Sequence, residues 1–310
     1  MTLFIGSLQL GLIYGFLAIG IYISFRIMNI PDLTAEGSFT FGLVVEAVFA
    51  DLGHPILGIV LALAAGALAG VVTGALNVYL RIPAILAGIL TMSGLYSVNL
   101  LTMDSKANLT LIGVDTIFSL TAPIFGGDLD LAKTLVNLVL VALAVFLIYT
   151  FFKTRIGLSI RATGDNEYMV RASSINIGVT KILALALSNA IIALSGGILA
   201  QYQQFADISS GVGMLVVGLA SVIIGEAFLG QRGILPHPGC LTHNITGLVH
   251  CGCGNLVTRA FVHRYALSCQ SGLIHRTASL QHDPVHRDIL PRPDHKDIPL
   301  FHLVNGNLRL

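Results

Sequence analysis

The residues able to do chemistry in this chain sit in unusual surroundings. "NIPDLTAEGSFTFG" (29–42) holds Pro31, Asp32, Thr34, Glu36 and Ser38 between the uncharged runs "LIYGFLAIGIYISF" and "PILGIVLALAAGALAGVVTGALNVYL". A carboxylate in apolar surroundings either takes up a proton or cation, or accepts backbone N–H groups at the start of a helix. Glu46 and Glu226 lie in similar settings. Other chemistry is thinner. Ser195 in "LSGG" is a possible nucleophile for an intramembrane protease. The single His among residues 1–235, however, is His54, beside Pro55 near the outer surface. His250, Cys251 and Cys253, flanked by Cys240 and Cys269, carry metal-binding atoms but lack the paired C-x₂-C spacing of structural zinc sites, so no metal or other cofactor is expected.

The elements holding these residues follow from composition. The chain has 310 residues, 55% of them hydrophobic and 11% charged, against about 25% charged in a soluble domain. Apolar runs long enough for a span of about 20 residues recur. These features predict an all-α polytopic membrane protein with about six to seven transmembrane or partly spanning helices. The expected order is 3–25, a broken or short segment at 31–51, then 56–79, 84–103, 131–152, 182–200 and a Gly-rich segment at 209–229. A polar stretch (104–130) and a basic loop (153–181) interrupt the order. The first basic residue is Arg26, so the N-terminus lacks the charged region of a cleaved signal peptide. The net charge of +1 gives no reason to expect nucleic acid as a partner.

Threading these spans through a bilayer puts Arg26, Arg81, Lys153, Arg155, Arg161, Arg171 and Lys181 on one side, with Lys106 and Lys133 on the other. The first side is the cytoplasm by the positive-inside rule, which leaves the N-terminus outside. In the 56–79 span, Gly58, Ala62, Gly66, Gly70 and Gly74 recur every four residues and line one helix face. Small residues let another backbone approach closely. The ridge serves either packing within one bundle or contact with a second copy.

Pro31 lacks an N–H and disfavours helix at Ile30, so the first helix ends near Asn29. Asp32 or Thr34 can cap the next helix, and Glu36 falls in its first turn, where the macrodipole favours an anion. From Gly37 through Ser38 and Phe39 to Ala50 the helix reaches about 21 Å at 1.5 Å per residue, short of a core of about 30 Å. The segment therefore either starts inside the protein or follows a surface loop. "GVGMLVVGLASVIIGEAFLG" (211–230) has a similar character. Two interrupted segments in corresponding positions point to a pathway across the membrane. In the basic loop, Asp165 is the expected N-cap of a short helix, with turns permitted at Gly164 and Gly178.

"PDLTAEGSFTFG", "GLSIRATGDNEYMVRASSINIGVTK" and "GVGMLVVGLASVIIGEAFLG", in that order and spacing, resemble permease subunits of bacterial ABC importers. The branch resembled is that of the branched-chain amino acid, ribose-type sugar and basic-membrane-lipoprotein-linked systems, over residues 1–235. The resemblance implies a multi-pass subunit in the bacterial inner membrane, paired with a second permease subunit, most simply as a homodimer. Cytosolic ATPase subunits would dock below, and an extracytoplasmic binding protein would deliver an amino acid or similar small polar solute. It places the coupling loop at Arg161, Ala162, Gly164, Asp165 and Asn166, closed by Gly178, and the broken second helix at Pro31 to Phe39. No Walker A pattern occurs, so ATP hydrolysis is expected on another chain. An ion-coupled transporter is the competing reading, with Glu46 and Glu226 as its only mid-membrane carboxylates.

Composition changes near residue 236. Residues 236–310 hold all four Cys, nine of the ten His and six of the ten Pro, with no Glu and no long apolar run. The expected division is a permease core at 1–235 and a tail at 236–310 that is unordered or read out of frame.

Overall fold

A computed structural model describes residues 2–121, 123, 129–173 and 175–229, with the side chains of 2–4, 129 and 224–229 outside that set. The tail beyond residue 235 lies outside the described residues. The described part is an all-α polytopic bundle. Five helical stretches are long and apolar enough to cross a membrane: 5–27, 55–79, 84–102, 130–153 and 177–203.

The first helix, α1 (Thr2–Ile21), unwinds into π-helical turns over Tyr22–Ile27. It closes when Met28 N–H donates to Ile23 O (3.1 Å) and Ile30 N–H donates to Ser24 O (3.0 Å). Asn29 takes the left-handed φ of 54° that such an ending requires, a conformation Asn tolerates better than most residues. Pro31 then blocks continuation.

The next helix, α2 (Thr34–Asp51), is buried along nearly its whole length. It lies among α3 (Pro55–Tyr79), α4 (Ala84–Thr102) and α9 (Ile177–Gln203). α9 also crosses α1 and α3, so it forms the centre of the bundle. α3, α4 and α6 (Leu129–Lys153) turn large apolar side chains outward, including Leu68, Leu101 and Val139. Exposed apolar faces on this scale suit lipid and not water.

At one end of the bundle the polar stretch contains β1 (Asn108–Thr110) and α5 (Ile117–Thr121). β1 pairs antiparallel with β2 (Phe205–Asp207), with Leu109 opposite Ala206. Neither strand is visible in the apolar pattern, because each is three residues long and is fixed by its partner.

At the other end the basic stretch is helical, not a loop around one short helix. α7 (Arg155–Asp165) is capped by Thr154, whose side chain accepts from Gly157 N–H, and buries Gly157, Ile160 and Thr163 along one face. That stripe carries the helix through Gly164 and Asp165. The expected cap at Asp165 is therefore displaced by one residue. Asn166 caps α8 (Glu167–Ala172), accepting from Tyr168 N–H at 3.0 Å and Met169 N–H at 3.3 Å. The last helix described is α10 (Met214–Leu229).

Candidate functional site

The start of α2 lies inside the bundle. Asp32, 1% exposed, accepts from Thr34 N–H through Oδ1 (2.9 Å) and from the Asn189 side-chain amide through Oδ2 (2.6 Å). Asn189 lies about 18 Å into α9 from Ile177 at 1.5 Å per residue. Thr34 Oγ1 shares a 2.8 Å hydrogen bond with Thr73 Oγ1 on α3. A Cβ at Gly88 of α4 would sit 2.9 Å from Leu33 N. Three helices thus surround this N-terminus. Of the two expected origins for the segment, a start within the protein is the one observed, and Asp32 supplies its capping oxygen. Pro31 stays exposed, whereas Gly37, Ser38 and Phe39 are buried. Phe39 stacks on Tyr14 of α1 with ring centroids 6.4 Å apart, and Gly37 leaves room for Met92 and Leu95 of α4.

A second N-terminus meets the first. The residues after β2 turn back so that Gly211 packs on the Glu36 carbonyl and Thr40, where a Cβ would overlap both. Gly213 N–H then donates to Glu36 Oε1 at 3.1 Å, and α10 begins at the next residue. Glu36 therefore sits in the first turn of its own helix and caps the start of another, so both helix dipoles favour its charge. Glu226 lies on α10, but its side chain falls outside the described residues.

Glu46 occupies a different place, deep in α2 and fully buried. Its Oε1 accepts from the Gln201 amide of α9, while Oε2 has no hydrogen-bond partner. Gln201 also donates to Pro55 O (3.1 Å) and accepts from Ile117 N–H (3.0 Å). One amide thus ties α2, α3, α5 and α9 at the sheet-bearing end. Gly58 faces the Glu46 carboxylate, which a Cβ would crowd at 2.5 Å.

Gly58, Ala62, Gly66, Gly70 and Gly74 are all buried. Gly66 packs on Ala193 and Asn189, Gly70 on Leu185 and Ala186, and Gly74 on Ile182. Ala62 meets Gly197. From Ala62 to Gly74 the ridge is filled by α9, and at Gly58 by Glu46 of α2, so these residues pack within the chain. α9 answers with small and polar residues of its own. Cβ atoms at Gly42 and Gly196 would overlap Ala193 O and Phe39 O, so α2 and α9 cross backbone to backbone.

The serine at 195 is committed to packing, since its hydroxyl donates to Ile13 O at 2.8 Å. The α7–α8 corner is open instead. Gly164, Asp165, Asn166, Glu167, Tyr168 and Arg171 border a groove of 540 Å³. Tyr168 and Met169 project outward at 86% and 71% exposure. Arg161 and Ala162 lie one turn earlier on α7. Gly178 is apart from the groove, in the first turn of α9, where its N–H donates to the capping Asn176 (3.0 Å). Lys181 pairs with Glu167, linking α8 to α9.

Asn189, Gln201 and Asn29 were not singled out from the sequence. The signal for the first two was present: Asn189, Ala193, Gly197 and Gln201 recur every four residues in an otherwise apolar helix.

Residues 3–248 match the family model described as branched-chain amino acid transport system, permease component. The chain is 38% identical over 215 residues to a tyrosine transport system permease protein of Clostridioides difficile, covering 69% of this chain and 70% of that one. It is 34% identical to the uncharacterized protein RP368 of Rickettsia prowazekii, covering 73% and 78%. It is 29% identical to the inner membrane ABC transporter permease protein YjfF of Escherichia coli, covering 73% and 65%. No solved structure matches.

Proposed function

The chain belongs to the branched-chain amino acid and ribose-type family of ABC importer permeases, and on that premise we propose that it moves an amino acid or similar small polar solute between two copies of itself. The carrying observation is that α2 starts inside the bundle and α10 starts against its first turn, with Glu36 bound to Gly213 N–H where they meet. Interrupted helices whose N-termini lie inside a membrane bundle are the usual construction of a translocation pathway. Pro31 to Phe39 form its broken wall. The α7–α8 corner, with Arg161, Ala162, Gly164, Asp165 and Asn166, is the coupling element. It receives a separate ATPase subunit in the cytoplasm, and an extracytoplasmic binding protein delivers the solute at the β1–β2 end. The N-terminus is then outside.

Tyrosine is the first solute to test, because a tyrosine transport system permease protein is 38% identical to this chain over 215 residues. The experiment is reconstitution of the full chain with the ATPase and binding protein encoded with it. ATP-dependent accumulation of labelled L-tyrosine or a branched-chain amino acid is expected, and crosslinking should trap a pair of permease chains. Accumulation without the ATPase would overturn the importer reading.

A further inference from the structure

The α7–α8 corner meets the chain just before α2, at Ile27 to Asn29. Asn29, exposed and held at φ 54°, donates its side-chain amide to Gly164 O at 3.1 Å. At the same point α7 lies directly on the end of α1. A Cβ on Gly164 would overlap Ile27 O and come within 3.1 Å of Met28 Cα. The connection from there to α2 is short and stiff. Ile30 N–H is tied back to Ser24 O, Pro31 fixes its own φ, and Asp32 is anchored to Asn189 and Thr34 N–H. The preceding turns are π-helical, a local winding that often marks functional positions.

We propose that Asn29 is a positioning residue that passes displacement of the α7–α8 element to the inner start of α2. The proposal rests on the importer reading above. A push on the corner reaches α1 through Gly164 and Ile27, and the Asn29 amide keeps the two elements moving together. The chain from Asn29 to Thr34 is too constrained to absorb the motion, so the end of α2 must follow. The Lys181–Glu167 pair ties the same corner to α9, which also holds Asp32 through Asn189.

The test uses the full chain reconstituted with its ATPase and binding protein, and labelled L-tyrosine and branched-chain amino acids as probes. Two variants separate backbone from side chain. Asn29→Gly keeps the left-handed conformation and loses the amide bond. Asn29→Asp keeps the side-chain size and turns an acceptor toward Gly164 O. Both are expected to lower solute moved per ATP hydrolysed by about tenfold, at the upper part of the range for coupling residues. ATPase co-purification and the hydrolysis rate should stay at the native level, which a merely misfolded chain would not achieve. If both variants move solute per ATP within about twofold of native, the proposal is overturned while the importer reading stands. If the native complex shows no ATP-dependent uptake, the importer reading falls and takes this proposal with it. A chain with Cys240, Cys251, Cys253 and Cys269 replaced and Leu33→Cys introduced gives a partner-free check. Faster thiol labelling at position 33 in the Asn29→Asp background supports a tie between the corner and α2, and an unchanged rate counts against it.

Discussion

Glu36 Oε1 accepts the Gly213 backbone N–H at 3.1 Å, so a side chain from the first turn of α2 caps the start of α10. The hydrogen bond needs an oxygen acceptor, and the charge adds only the attraction of the helix dipoles, about 0.3–1 kcal/mol. Glu36→Gln retains the acceptor and should lose only that smaller part of the stability in detergent. Glu36→Ala removes the cap and should cost about 1 kcal/mol. Thermal unfolding in detergent separates the two, and equal melting temperatures for both variants would argue against the cap.

The α2–α9 crossing allows no side chain at Gly42 or Gly196, because each glycine lies on a carbonyl of the opposite helix. Alanine at either site must separate two backbones instead of displacing a flexible side chain. A loss of about 1–3 kcal/mol is expected for Gly42→Ala. Gly94, whose added Cβ would meet nothing within 4 Å, provides the control. Gly94→Ala should be neutral or slightly stabilising by helix propensity. Melting temperatures that fall equally in both would refute the close crossing.

Much of this arrangement was legible in the sequence. Span lengths followed from apolar runs, because lipid demands length. The break at Pro31 followed from the missing N–H. What the sequence left open was which neighbour fills each surface. The Gly58–Gly74 ridge announces close packing but not its partner, and α9 is supplied only by the fold. Likewise Asp165 is an acceptable cap by type. The buried stripe Gly157–Ile160–Thr163 extends α7 one residue too far for it to serve. Asn29 was invisible as a site because its role depends on Gly164, far along the chain.

The composition break near residue 236 has a test in the gene. Reading one of the two alternative frames from about codon 236 should continue an apolar sequence able to form a further span of about 20 residues. The family match reaches residue 248, so the junction falls close to the end of the recognisable region. If neither frame encodes an apolar run, the His- and Cys-rich tail is native to this protein.

Orientation is tested by paired cysteine labelling after the four native cysteines are replaced. Tyr168, 86% exposed on α8, and Ile112, 78% exposed beside β1, sit at opposite ends of the bundle. Tyr168→Cys should react with an impermeant reagent only in inside-out vesicles, and Ile112→Cys only in right-side-out ones. The reverse pattern would place the α7–α8 corner outside and remove it from reach of a cytosolic ATPase.

Asp32 and Asn189 fix how deep α2 begins. The carboxylate uses one oxygen on Thr34 N–H and the other on Asn189, and it has almost no contact with solvent. Removing it leaves the Thr34 N–H and one N–H of the Asn189 amide unsatisfied, the other N–H staying on Leu185 O. Asp32→Ala should therefore cost about 1–3 kcal/mol. Asp32→Asn can keep the Thr34 bond through its carbonyl, but its NH₂ then faces the Asn189 NH₂ unless that amide turns its unpartnered Oδ1 inward and gives up Leu185 O. The second substitution, Asn189→Asp, presents a carboxylate to that NH₂ and restores a donor–acceptor pair. The exchange Asp32→Asn with Asn189→Asp should thus recover most of the stability lost by Asp32→Asn alone. A double variant no more stable than the sum of its singles would show that the two side chains do not act on each other, and that α2 is held at its depth by its other contacts, the Thr34–Thr73 bond among them.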